Sequence, residues 1–279
     1  MCELFFHGER QHLSRYPNRH PTNRWLTPYL KMNGVIHKTA TNVGGVSIGG
    51  RFAYDPADAA AIVRWQRAAA ESNLWIQGFW RIPWECEGER VLAIDPASNT
   101  ITLARGASPG ATGLGNKYAK DKAAGSKNEP FWALNLLEEI DVPGEWSIDF
   151  ARKKLYLLPP GPLTDGAVEV TDFNGSLITV SSACHLAFSG LTFDRHLARG
   201  ITCSGATNVL VQGCTFRNLG GYAVDLDQGR ACGVVSCDLA LLAAGGILVR
   251  GGREQAPRES NDHYVVNNDI RDFAQVVPV

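Results

Sequence analysis

From residue 174 to the C-terminus, apolar and polar positions alternate in short runs, and the runs return every 23 residues. Phe193, Phe216 and Leu239 mark one point of the pattern, and Ile201, Val224 and Ile247 mark another. The segments 185–193, 208–216 and 231–239 align without a gap, and 200–203, 223–226 and 246–249 keep step with them. A fourth copy, 263–270, arrives 31 residues after the third, with its additional residues in the polar stretch 251–262. Two or three short strands with turns fit such a unit, whereas a helix–turn–helix pair does not. Units this small cannot bury an apolar face alone and must stack. The pattern predicts a mainly β chain whose C-terminal part, residues 174–279, is a right-handed parallel β-helix.

Residues 1–173 lack the repeat and read as a mixed α+β, hairpin-rich region inserted in or packed on the helix. Hairpins are predicted at Glu3–Phe6 with its turn at His7-Gly8, at 90–103 around Pro96-Ala-Ser-Asn99, and at 145–158. The Ala-rich stretch 56–72, with Pro56 near its start, predicts a helix, and Phe131–Ile140 predicts a shorter one. Residues 107–129 are rich in Gly, Lys and Ser and predict a solvated loop.

Stacking the repeat maps one face. If Ile201, Cys203, Val224, Leu226, Ile247 and Val249 point inward, period-two alternation sends their neighbours outward. Two outward columns follow: Thr202, Asp225, Leu248, and Ser204, Asp227, Arg250. Rungs lie about 4.8 Å apart and alternate residues about 6.6 Å apart, so Asp225 and Asp227 project side by side with Arg250 one rung from Asp227. Paired carboxylates at such spacing suit inverting glycoside hydrolysis. A cationic neighbour would hold one ionised while its twin keeps a raised pKa, separating base from acid. A surface ion pair of little energetic weight is the competing reading.

Other candidates have structural readings. His185, His196 and His263 sit at expected rung corners, with Asp194 and Arg195 beside His196. Asn267 and Asn268 suit a ladder or a cap inside the coil. Most of the tryptophans read as core; Trp84, beside the charged run 85–90, is the one expected to be exposed for sugar stacking. The loop 251–262, with Arg253 near Arg250, borders the candidate face and reads either as a clamp for an acidic sugar or as a solvated loop.

A net charge of −1 with 20% charged residues argues against a nucleic-acid binder. The longest apolar run, 239–249, is too short to span a bilayer, and the first residues lack a secretory leader. Of seven cysteines, Cys203 shares a column with Leu226 and Val249, Cys232 shares one with Leu186 and Val209, and Cys214 lies above Cys237, which marks reduced core residues rather than a disulfide framework. No zinc spacing, P-loop, dinucleotide fingerprint or nucleophile elbow occurs, so neither metal nor cofactor is expected.

Four segments, 3–18, 75–84, 135–146 ending Pro-Gly-Glu-Trp146, and Lys154-Leu-Tyr-Leu-Leu-Pro-Pro160, resemble large bacterial right-handed β-helix proteins that include fucosidase- and xylanase-type glycoside hydrolases. The stretch Gly245–Arg253 followed by 266–270 is similar to that group's middle rungs, although the group usually has Asp where Arg253 follows Gly252. The resemblance implies a carbohydrate-active protein acting on a polysaccharide or oligosaccharide, outside the cell or in the periplasm. It also implies that the catalytic carboxylates lie in later rungs, and that such proteins begin before Glu3 and run past Val279. This chain is thus expected to be an internal piece, or a solenoid whose open apolar end, 276–279, pairs with a partner. Two alternatives stand beside hydrolysis. One is a polysaccharide lyase or epimerase using Arg250 or Arg253 against a uronate; the other is a non-catalytic carbohydrate-binding or structural fragment.

Overall fold

Each repeat unit contributes three short strands, and equivalent strands of successive units hydrogen-bond in parallel. The first sheet is built from Ile178–Ser181, Ile201–Ser204, Val224–Asp227 and Ile247–Arg250. The second uses Cys184–Ser189, Thr207–Gln212, Gly233–Val235 and Tyr264–Val266; the third uses Thr192–His196, Thr215–Leu219, Asp238–Ala240 and Asp269–Ile270. Together they form a β-solenoid of about three turns. Register follows the repeat: Ile178, Ile201, Val224 and Ile247 are vertical neighbours, and so are Phe193 and Phe216, then Leu239 and Ile270.

The inner columns are dry in the middle rungs, whereas Val249, expected to point inward, is 44% exposed. Ile201, Val224, Phe216, Val234 and Leu239 are fully buried, and the rings of Phe193 and Phe216 stack at 4.6 Å with 4° between their planes. Cys203, Cys214, Cys232 and Cys237 are buried free thiols, and the Cys214 amide points at the Cys237 sulfur from 3.4 Å.

The corners repeat as faithfully as the core. His185, Asn208, Ala231 and Asp262 all have φ near +55°, as do Arg195, Asn218, Leu241 and Asp272. Gly190, Gly213, Ser236 and Asn267 form a third such column. One left-handed residue turns the strand sharply, and Gly, Asn and Asp adopt that conformation most readily. Side chains one position on help close the corners. His263 Nδ1 accepts from the Cys232 amide at 3.1 Å; Asn268 accepts from the Cys237 amide and donates to the Val234 carbonyl, both at 2.9 Å.

The computed structural model describes residues 2–20, 26–37, 41–43, 46–80, 86–104, 114, 128–251 and 260–274. The chain divides into two units, Met1–Arg10 with Thr164–Val279, and Gln11–Leu163. The first ten residues join the solenoid unit because Glu3–Phe6 pairs antiparallel with Val168–Thr171, burying Leu4, Phe5 and Phe6. The repeat begins at 174, whereas the solenoid unit resumes at Thr164.

The second unit is barrel-like. Leu30–His37, Gly50–Tyr54, Thr100–Leu103, Glu87–Asp95, Trp75–Gly78 and Pro130–Leu134 pair in that order, all antiparallel, and the last strand closes on the first. Two sequence expectations change here. The stretch expected as a helix from Phe131 begins as a strand: Phe131 and Ala133 point into the barrel, Trp132 points out, and only Leu137–Glu139 forms a 3-10 turn. Alternation outweighed helical propensity because both edges of that strand are paired. The Ala-rich stretch forms two short α segments interleaved with 3-10 turns, Pro56–Asp58 to Gln66–Ala70. It packs Ile62, Trp65, Ala68 and Ala69 into the core, and the Trp65 indole donates to Glu139 at 2.7 Å. The loop expected at 107–129 lies almost wholly outside the described residues.

Candidate functional site

The outward columns of the first sheet lie in the expected register, Thr179, Thr202, Asp225, Leu248 and Ser181, Ser204, Asp227, Arg250. Their contacts differ from the expectation. Arg250 leans back across the rung: its Nη2 donates to both Asp225 oxygens at 3.1 and 2.9 Å and lies 3.7 Å from Asp227 Oδ2. Arg199, from the corner before Ile201, places Nε 3.4 Å from Asp225 Oδ2.

Asp225 is therefore fully buried although it sits in an outward column. Asp225 and Asp227 were expected to project outward side by side, but only Asp227 reaches solvent. Two half-exposed guanidiniums roof Asp225, while Asp227 keeps about a third of its side chain open. A buried carboxylate is tolerated when charge-assisted hydrogen bonds replace its water, as they do here. One Arg250 nitrogen reaches both carboxyl groups, 2.9 Å from Asp225 and 3.7 Å from Asp227, so the two share one cation.

This arrangement divides the labour. Asp225 fixes Arg250 and Arg199, and the free edges of those guanidiniums together with Asp227 are what this cluster presents to solvent. Arg199 was not recognised from sequence, since its column holds Tyr222 and Gly245 in the next rungs and so shows no repeated charge. A second ion cluster lies on the third sheet: Asp194 Oδ2 meets Arg217 at 2.9 Å and Arg195 at 3.4 Å, and Asn218 donates to its Oδ1 at 3.0 Å. Asp194 and Arg217 are vertical neighbours, so the repeat carried that signal.

The remaining candidates fall into place individually. His196 is buried and donates Nε2–H to the Gly175 carbonyl at 2.6 Å, and His185 accepts from Asn208 at 2.7 Å on a corner column. Both serve the fold. The buried Cys203 thiol is pushed up to about 11, chiefly by burial, with Cys232 and Asp225 acting in the same direction. That leaves it protonated and poorly nucleophilic at neutral pH. Trp65, Trp80, Trp132 and Trp146 are buried. Trp84 and Arg253, the other residues expected to bind substrate, lie outside the described residues. Among the described residues no group of three His, Cys, Asp or Glu side chains is arranged to hold a metal ion.

In the barrel unit, a cleft of about 40 Å³ is lined by Arg67, Glu71, Asn73, Asn135, Asp149 and Arg152. Its charges are already spent on one another. Arg152 binds Glu71 at 2.9 and 3.0 Å and Asp149 at 2.7 Å, and Asp149 is held down to about 2 by those Arg152 contacts. The cleft is water-sized and self-satisfied, so it suits structure better than ligand binding.

No family model and no curated protein matches the chain. A solved glycoside hydrolase has a similar fold, with a TM-score of 0.67 over 98% of this chain at 16% identity. The chain spans about half, 54%, of that protein.

Proposed function

We propose that the chain is a carbohydrate-active β-helix protein that hydrolyses glycosidic bonds, with a polysaccharide or oligosaccharide laid across the outward face of the first sheet. The observation that carries this reading is the Asp225–Arg250–Asp227 cluster on a solenoid face, in a fold similar to that of a glycoside hydrolase. Asp227 is the group that touches the substrate. Asp225 holds Arg250 and Arg199 so that their open edges meet sugar hydroxyls or a sugar carboxylate. Release of reducing ends from a polysaccharide panel, compared between the native chain and Asp227→Asn, tests the reading.

A second reading is carbohydrate binding without catalysis. The full burial of Asp225 favours it, because two guanidiniums already occupy the carboxylate. Under it both Asp225→Asn and Asp227→Asn leave product release at zero, as in the native chain, while sugar affinity changes. Appearance of ultraviolet absorbance from an unsaturated uronate would instead point to lyase chemistry.

A further inference from the structure

Arg15 begins an outer barrel strand opposite Leu134, which puts its side chain on the same outer face as Trp132. Its guanidinium stacks 4.8 Å from the Trp132 ring and 5.4 Å from the Tyr29 ring, and those rings lie 5.3 Å apart. Arg15 is only 5% exposed, and its Nε has no hydrogen-bond partner. The largely buried Arg10, by contrast, has an acidic partner in Glu3 at 3.1 Å. Arg15 forms no salt bridge among the described residues. Glu145, the carboxylate nearby in sequence pairing, spends Oε1 on the Arg15 backbone amide and Oε2 on the amides of Asp141 and Val142. Arg19 adds a second positive charge, and burial together with that neighbour lowers Arg15 to about 10.

A buried guanidinium without a counter-charge, next to another cation, calls for an anion to complete it. Around it are an exposed aromatic ring, Tyr29 at 41%, and the exposed, basic Arg19. Flat rings stack on sugar faces, and guanidiniums take carboxylate or sulfate oxygens in pairs. We propose that Arg15, Arg19, Tyr29 and Trp132 form an acidic-sugar site on the outer face of the barrel, where a sugar ring packs on Tyr29 and its carboxylate or sulfate faces the two arginines. Arg15 reaches the anion once Tyr29 shifts aside as the ring docks. The proposal takes its ligand class from the carbohydrate reading above and is independent of where catalysis occurs.

Calorimetric titration of the full chain with an oligogalacturonate, a sulfated oligosaccharide and a neutral xylo-oligosaccharide tests it. Saturable binding of one or both acidic ligands, weakened by salt, and none of the neutral one is expected. The carboxylate and sulfate arms identify which anion fits. Arg15→Met should weaken that binding about tenfold or more, and Arg19→Gln and Tyr29→Ala about threefold to tenfold each, as losses of one charge-assisted or stacking contact. The two exposed positions carry the test if Arg15→Met fails to fold. Equal binding of acidic and neutral sugars, no binding of either, or unchanged affinity in Arg19→Gln and Tyr29→Ala would overturn the site. Acidic-sugar binding by Arg19→Gln and Tyr29→Ala is read by calorimetry apart from reducing-end release, so failure of this site and failure of the hydrolytic reading are distinguished.

Discussion

The solenoid and the barrel solve the same burial problem with opposite geometries. In the solenoid each side chain packs on residues one repeat away, and a single column such as Ile201, Val224 and Ile247 repeats one contact. In the barrel the closing pair, Trp75–Gly78 with Pro130–Leu134, joins strands more than fifty positions apart and fills the interior with Trp65, Phe52, Phe131 and Tyr54. Charge is handled differently as well. The solenoid roofs buried Asp225 with two arginines, whereas the barrel leaves Arg15 stacked on aromatic rings without a carboxylate. A stacked fold places its polar groups by register, so a face can be rebuilt rung by rung. A closed barrel gives each position a unique setting.

The largest expected effects test that contrast directly. Phe216→Ala and Trp65→Ala each remove a fully buried ring and should cost about 3–5 kcal/mol. Hydrogen exchange should then speed up most in the rungs next to Phe216 and fade with distance, as nearest-neighbour stacking requires. After Trp65→Ala the whole barrel should exchange together. A cooperative loss in both units would break the comparison.

Arg250→Ala should come next. It strips one of two cations from buried Asp225, and since Arg250 is half exposed the cost is expected at about 1–3 kcal/mol by chemical denaturation. Asp225→Asn made on top of it should recover part of that loss, because the stranded charge is gone. Comparable in size is the pH response of the barrel. Glu89 is buried, and burial first, then the Glu87 charge, raise its carboxyl to about 7. A carboxyl whose folded pKa exceeds its unfolded value favours folding below the unfolded value, near 4.5, and that advantage is lost as pH rises through about 7. Glu89→Gln should flatten this slope and raise stability at pH 8 by roughly 1–3 kcal/mol, read from denaturant midpoints at both pH values.

The smallest effects concern the corners. Ala231 and Leu241 hold φ of 53° and 56° in columns otherwise occupied by His, Asn, Asp and Arg. Ala231→Gly and Leu241→Asn should each stabilise the solenoid by about 0.5–1 kcal/mol in thermal melts. Destabilisation by both would mean that their side chains matter more than the strained backbone.

The same contrast explains what could be read from the residues. Column partners were legible because a period of 23 residues states them directly; the stacking of Phe193 on Phe216 and the buried thiols followed. Gly and Asn corners were legible from composition, but Ala231 and Leu241 carry no turn signal and are left-handed only because the rung imposes it. The Phe131 strand was misread since its second pairing partner, Trp75–Gly78, is remote and unmarked. In the candidate site the register of Asp225, Asp227 and Arg250 was plain, while the burial of Asp225 was not. It depends on Arg199 from a corner and on a guanidinium choosing the diagonal carboxylate, which are choices of side-chain direction that spacing does not encode.

The central claim is that the roofed Asp225 and the open Asp227 make the first sheet a working glycan surface. Its most direct test is the initial rate of reducing-end release by Asp227→Asn and the native chain on one susceptible polysaccharide, with melting curves in parallel. The account predicts a fall of about a hundredfold or more at unchanged melting temperature, the loss expected for a group acting on the reacting bond. Equal rates in the two proteins, or no release by the native chain on any polysaccharide, would contradict it.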